Sequence, residues 1–327
     1  MKKILNNPQN IVDEMLEGFV KVNKNVKRVT GFNVIYNPNF DKNKIALISG
    51  GGSGHEPAHA GYVGQGMLAA AVAGEVFTSP TPDQVESAIN QIDSQAGTLL
   101  IIKNYTGDKL NFEIAQQLAQ ANGKNVESVL VDDDVAVENS TWTIGRRGIA
   151  GTVFVHKIAG AAAEKGLNLS EVKRIAEKVI KNVRTFGISL NSIFIPTTGK
   201  ESFSLKEDEI EFGLGIHGEP GVKRERIKSS KEIVKEMLDL ILNDLDYSNS
   251  DVALMVNGLG GTPEMELYIA ANDIHNYLQT KNINIYSSHL GNFMTSLEMQ
   301  GFSISLLKLD SELKEMLDAP TEVRNWK

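Results

Sequence analysis

The chain has 327 residues, 41% of them hydrophobic, enough for one large domain or two ordinary ones with an ample core. Its formal net charge of −8 speaks against a dedicated nucleic-acid binder and against an anionic membrane surface. The absence of cysteine excludes a disulfide framework, a thiolate zinc site and a cysteine nucleophile.

The N-terminus, MKKILNNPQN, carries two lysines but no apolar run after them, so it does not read as a signal peptide. No stretch approaches the ~18 consecutive apolar residues of a membrane span, and a soluble cytoplasmic protein is expected. Asn7 followed by Pro8 looks like an N-cap and first helical position. It would open an amphipathic helix through Ile11, Met15, Leu16 and Phe19. Apolar strand candidates then recur at 44–49, 98–103, 126–131, 185–190, 252–257, 283–287 and 303–308. Helical patterns lie between several of them, at 82–92, 109–121, 148–165, 170–182, 230–244 and 263–279. Short unalternated strands between helices predict an α/β fold with mostly parallel or mixed sheets flanked by helices. Two domains are expected, 1–185 and 186–327, because a long helical block is followed by the polar segment TTGKESFSLKEDEIEFG.

In open α/β sheets, ligands gather outside the C-terminal ends of strands. Three such ends are chemically loaded here. The first is Gly50, Gly51, Gly52, Ser53, Gly54, His55. It is neither a Walker A loop, nor G-x-G-x-x-G, nor the hydrolase elbow G-x-S-x-G. What remains is bare backbone able to close on a small polar ligand, or a tight structural turn. The second end delivers Lys103, Asn104, Tyr105 and Thr106 into a turn, with Asp108 at a helix N-terminus. A lone Asp there reads first as a helix cap. Its neighbour Lys103 offers another reading, in which the pair binds a polyol and deprotonates it.

The third end is EFGLGIHGEPG, where His217 precedes Gly-Glu-Pro-Gly. His55 and His217 share a pattern of glycine, histidine and a Glu-Pro turn, on loops where functional histidines concentrate. His156 and His275 sit in helical patterns and read as surface or core fillers; His59 and His289 stay open, with a structural role ahead. Asp132, Asp133 and Asp134 cannot all point at one ion, so a turn with capping duties is expected rather than a metal site. Arg146 and Arg147 could meet phosphate, but an arginine pair preceding a helix reads first as exposed. Pattern alone thus yields a small-polar-ligand site with two histidines and one aspartate, without the reaction.

The motifs GGGSGHEP, GEVFTSPTP, IIKNYTGD, VDDDVAV, RRGIAGTV and GIHGEPG occur in one order. In that order they resemble the dihydroxyacetone-binding subunit of the dihydroxyacetone kinase family over essentially the whole chain. The resemblance implies that Gly52, Ser53, Gly54, His55, Lys103 and Asp108 contact dihydroxyacetone, the glycines leaving it room. It implies that His217 adds to the C2 carbonyl as a hemiaminal, which separates the ketose from glycerol. Asp108 is then the base for the attacking hydroxyl, with His55 a hydrogen-bonding partner or alternative base. Single-chain kinases of the family append a helical nucleotide-binding domain; this sequence stops at Lys327 and has no Walker loop. The resemblance therefore implies that no cofactor or metal is held here. ADP and magnesium would sit on a separate helical subunit, recharged by the phosphotransferase system from phosphoenolpyruvate. A homodimer is expected on the same ground. The rival expectation is a non-enzymatic paralogue that binds dihydroxyacetone and acts as a transcriptional coactivator.

Overall fold

The computed structural model describes residues 2–137, 145–219 and 221–326. Pro220 of the His-Gly-Glu-Pro turn lies outside the described residues. Asn7 accepts a hydrogen bond from Gln9 N at 3.0 Å and opens a short turn at Pro8–Asn10. Helix α1 (Ile11–Val22) follows, as the Asn-Pro start predicts. Strands β1 (Lys27–Arg28), β2 (Val34–Tyr36), β3 (Ala46–Ser53) and β4 (Ala70–Val76) come next. Then α2 (Pro82–Ile92), β5 (Thr98–Lys103), α3 (Thr106–Ala121) and β6 (Val126–Val131) complete the first sheet and its outer helices. Its order is β1-β2-β4-β3-β5-β6, with β4, β3, β5 and β6 parallel and the β1–β2 edge antiparallel.

Helices α4 (Thr152–Glu164) and α5 (Leu169–Asn182) lead into a second sheet. That sheet takes β7 (Val183–Ser189), and the chain then makes the small ribbon of β8 (Phe194–Ile195) and β9 (Lys200–Glu201). It continues through β10 (Glu209–Phe212), β11 (Lys223–Arg226), α6 (Ser230–Asp244), β12 (Asp251–Gly258) and α7 (Glu264–Thr280). Strands β13 (Asn284–Gly291) and β14 (Gly301–Leu309) and helix α8 (Ser311–Asp318) end it. The order β11-β10-β7-β14-β12-β13 contains one parallel pair, β12–β13. The expected parallel character therefore holds for the first sheet, while the second is mixed and mainly antiparallel. Unalternated apolar strands report burial on both faces, and β12 and β14 are buried on both faces whatever their direction.

The layers explain that burial. On the outside of the first sheet, Ile48, Val72 and Leu100 pack with Val85 and Ile89 of α2 and Phe112 of α3. On the outside of the second, Leu254 and Ile304 pack with Met237 of α6 and Ile274 of α7. Between the sheets lie α4 and α5. Every residue of α4 from Thr152 to Ala163 is buried, including Lys157, whose Nζ donates to the Met316 and Ala319 carbonyls. Phe154 and Ile158 share one core with Leu47 and Ile101 of the first sheet and with Met255 and Leu307 of the second. Each fully buried aliphatic or aromatic side chain contributes about 1.5–3 kcal/mol. This central layer holds the loops of the two sheets in a fixed relation.

Candidate functional site

The glycine-rich stretch is the end of β3 itself, continuing as strand through Ser53. Its bareness is used by the fold. A Cβ on Gly51, whose φ is +155°, would stand 2.5 Å from Lys103 Nζ and 3.2 Å from Asp108 Oδ2. One on Gly52 would meet the Phe77–Thr78 backbone at 2.6 Å. The space next to these glycines is filled by the chain's own groups, so the lysine and aspartate can lie directly against the strand. Ser53 donates to the Gly74 carbonyl at 2.7 Å and lines a hollow of about 400 Å3 beneath α1, with Met15, Phe19 and His59.

Lys103, the last residue of β5, is fully buried and donates from Nζ to Asp108 Oδ2 at 2.9 Å. Asp108 is the third residue of α3, and Tyr105 holds the N-cap position without a side-chain cap bond. The cap reading of Asp108 is therefore corrected. Its carboxylate turns to the lysine, although the N-terminal end of the helix dipole still favours a negative charge there. Parallel pairing of β5 with β3 puts both groups beside the glycines.

His217 arrives from the second sheet, on the loop after β10, and is half-buried. Its ring meets Tyr105 at 4.4 Å, His55 at 4.9 Å and Phe77 at 5.4 Å, centroid to centroid, each edge to face. His55, fully buried, has Nδ1 2.8 Å from the Thr295 carbonyl. A carbonyl only accepts, so Nδ1 carries the proton and Nε2 keeps its lone pair. Burial, with help from Lys103, lowers His55 to about 3. Burial, then His55, Lys103 and Arg147, holds His217 well below the ordinary 6.5. Both imidazoles are neutral at physiological pH. A neutral ring nitrogen is a nucleophile; a protonated one is not.

A cavity of about 580 Å3 opens over these groups, walled by Gly52, Phe77, Tyr105, Asp108, Thr197 and His217. Of the residues singled out in the sequence, Gly52, Asp108 and His217 stand on the cavity wall. His55 and Lys103 stand behind them, in contact with His217 and Asp108 respectively. Gly54 is joined through its carbonyl to Leu297 N at 2.8 Å, which straps the first-sheet loop to the second-sheet loop at 292–300. Asn257, unremarked in the sequence, shapes that second loop: its Oδ1 accepts from Phe293 N and Met294 N, at 2.8 and 3.0 Å.

Elsewhere the sequence reading of the acidic run, the arginine pair and the helical histidines holds in part. Asp133 accepts from Ile149 N and Gly151 N at 2.7 and 2.8 Å, so it does serve the start of α4. No cluster of three or more histidine or carboxylate side chains among the described residues is placed to hold a metal ion. Arg146 pairs with Asp244 near the surface, but Arg147 is fully buried, against expectation, because Asp134 and Glu219 neutralise it from two sides. His275 is on the surface and His156 is in the core.

Fold and cavity define the class: an α/β protein of two sheets with a cavity of mixed polar and apolar lining where loops from both sheets meet. The Dak1 domain matches residues 17–325, and the chain belongs to that family. It is 51% identical to the dihydroxyacetone-binding subunit of the PTS-dependent dihydroxyacetone kinase 1 of Listeria innocua, across 100% of both chains. Two solved structures share the fold at 36% identity. The C. freundii dihydroxyacetone kinase superposes with a TM-score of 0.92 over 99% of this chain and 60% of its own length. A dihydroxyacetone kinase operon co-activator superposes with a TM-score of 0.91 over 96% of this chain and 97% of its own. No helix among the described residues is long and apolar enough to cross a membrane.

Proposed function

We propose that this chain is the dihydroxyacetone-binding subunit of a phosphotransferase-system-dependent dihydroxyacetone kinase, working in the cytoplasm. The observation that carries the reading is His217: a neutral, half-buried imidazole on the wall of the same cavity as the carboxylate of the Lys103–Asp108 pair. The ring's unprotonated nitrogen gives its electron pair to C2 of the ketose. The carbonyl π pair moves to oxygen, which takes up a proton, and the other ring nitrogen releases one. The product is a hemiaminal, which glycerol, lacking a carbonyl, cannot form.

Once the ketose is tethered, Asp108 takes the proton of the terminal hydroxyl as that oxygen attacks phosphorus. Lys103 Nζ, 2.9 Å from Asp108 Oδ2, orients the carboxylate. His55 Nε2, with its lone pair free, hydrogen-bonds the substrate or serves as the alternative base. Gly52 brings backbone to the ligand from the cavity wall, with Ser53 and Gly54 following it in the chain. The phosphoryl group comes from a separate helical subunit holding ADP and magnesium, a scheme supported by the full-length likeness to a subunit of a PTS-dependent kinase. Phosphoenolpyruvate is the ultimate donor, and the chain works as a homodimer.

The likeness to the co-activator favours a second reading, a sensor that binds the ketose without phosphorylating it. A sensor has no use for a base, and Asp108 argues for the enzyme. A phosphorylation assay with and without the helical partner separates the two. The kinase reading predicts turnover only with the partner present. Turnover with ATP and this chain alone would overturn the two-subunit scheme, and no turnover with a competent partner would leave the sensor.

A further inference from the structure

Behind the His217 loop lies a buried charge cluster that the chemistry above does not use. Arg147, fully buried, donates from Nε to Asp134 Oδ2 at 2.6 Å and from Nη2 to the Gly213 carbonyl at 2.7 Å. Its Nη1 faces Glu219 Oε1 at 3.6 Å. The other oxygen of Glu219 accepts from the backbone N–H of His217 at 2.9 Å. One guanidinium therefore grips the loop at both ends, at Gly213 and at Glu219, with His217 bonded to the same glutamate. Gly215 shows how tightly the loop is drawn in: a Cβ there would overlap the Glu219 carboxylate and stand 2.8 Å from Arg147 Nη1.

Arg147 belongs to the segment that leaves the first sheet after β6, and its backbone carbonyl accepts from Asp134 N at 3.1 Å. The grip thus runs from the first sheet to the loop of the second that delivers the imidazole. The planar fork points separate nitrogens at Asp134, Gly213 and Glu219, the last at ion-pair distance, whereas a lysine is a single point of charge on a flexible stem.

We propose that Arg147, acting through Glu219, is a positioning residue that holds the His217 imidazole at the cavity wall. This rests on the reading of His217 as the nucleophile. The nearby cation also adds to burial, His55 and Lys103 in keeping that ring neutral. Displacing a reacting atom by about 1 Å can cost up to about a hundredfold in rate, so a looser grip is readable in the kinetics of adduct formation.

The test compares Arg147→Lys with Arg146→Lys, its neighbour near the surface, in the full-length chain. Each variant is mixed with saturating dihydroxyacetone, and the adduct is followed by quenched-flow mass spectrometry while melting is recorded separately. Positioning predicts that Arg147→Lys forms adduct on the order of tenfold more slowly than Arg146→Lys while folded. A purely structural role predicts a lower melting temperature for Arg147→Lys with the rate unchanged, and a rate within about twofold of the control would overturn the proposal. Should Arg147→Lys fail to fold, Glu219→Gln takes its place, with a slower rate supporting the proposal and an unchanged rate overturning it. If the wild-type chain forms no adduct, the nucleophile reading fails by itself. Positioning is then read without ketose, from ring resonances in NMR. Arg147→Lys must shift His217 and leave His275 unmoved, and an unmoved His217 overturns the proposal.

Discussion

Two pairs of histidines in this molecule have almost the same geometry. The His55 and His217 rings are 4.9 Å apart at 70°; the His59 and His156 rings are 5.2 Å apart at 65°. Burial lowers the pKa of all four. They differ in what the nitrogens do. His59 Nδ1 and His156 Nε2 are 2.9 Å apart, one donating to the other, and Ser49 Oγ lies 3.4 Å from the same His59 nitrogen. That pair shares one bond between its rings, and its outer nitrogens, His59 Nε2 and His156 Nδ1, are buried without a partner. In the other pair, His55 is bonded to a backbone carbonyl and His217 reaches a cavity wall. Burial and a depressed pKa therefore do not by themselves mark a reactive histidine; what sets His217 apart is its place on a cavity wall shared with the Asp108 carboxylate.

The largest effect that sharpens this contrast is expected beside the first pair, at Asp108. Asp108→Asn keeps the shape and can still accept from Lys103, yet removes the proton acceptor. Turnover with the partner subunit should fall by a factor of about 10² to 10⁴ while the ketose still attaches. Full activity in a stable variant would pass the base role to His55. At the second pair, His156→Ala should cost about 2–4 kcal/mol of stability through the cavity it leaves, measured by denaturant unfolding. Its folded fraction should form the adduct normally; a loss of adduct would erase the distinction between the pairs.

The pH dependence gives a smaller signal. With its pKa well below 6.5 in the fold, His217 stays in the free-base form as pH falls through that value. The rate of adduct formation should change less than about twofold between pH ~8 and pH ~6. A histidine of ordinary pKa would lose about three quarters of its free base over that interval. A midpoint near 6.5 would contradict the lowered pKa that the ring's surroundings impose. Smallest of all, His275→Ala on the exposed face of α7 should shift stability by no more than about 0.5 kcal/mol and leave the adduct alone.

Much of this was legible in the sequence because the local signals are strong. The strands ending in Gly50–Ser53 and Lys103, and the Gly-Pro loop around His217, announce strand ends without any tertiary information. Strand β4 escaped because AAVAGEV has few β-branched residues, and its state is decided by pairing with β3 on one side and β2 on the other. Helix α8 escaped as well, being short; its Leu313 and Leu317 are fixed by packing into the central layer. Arg147 was misread for a deeper reason. An arginine pair looks exposed until its partners are known. Asp134 was in view, but Glu219 lies on the other sheet, and nothing local joins the two. Asp108 could be read as a cap because Asp at a helix start usually is one; Lys103, five residues earlier at the end of β5, already offered the other reading, and the turn into α3 brings the two together.

The most direct measurement is the intact mass of the protein after incubation with dihydroxyacetone under mild conditions, for wild type, His156→Ala and His217→Ala side by side. Wild type and His156→Ala should each gain the mass of one ketose, and His217→Ala should gain none. A His217→Ala chain that still carries the ketose, or a wild-type chain that never does, would contradict the assignment of His217 as the nucleophile.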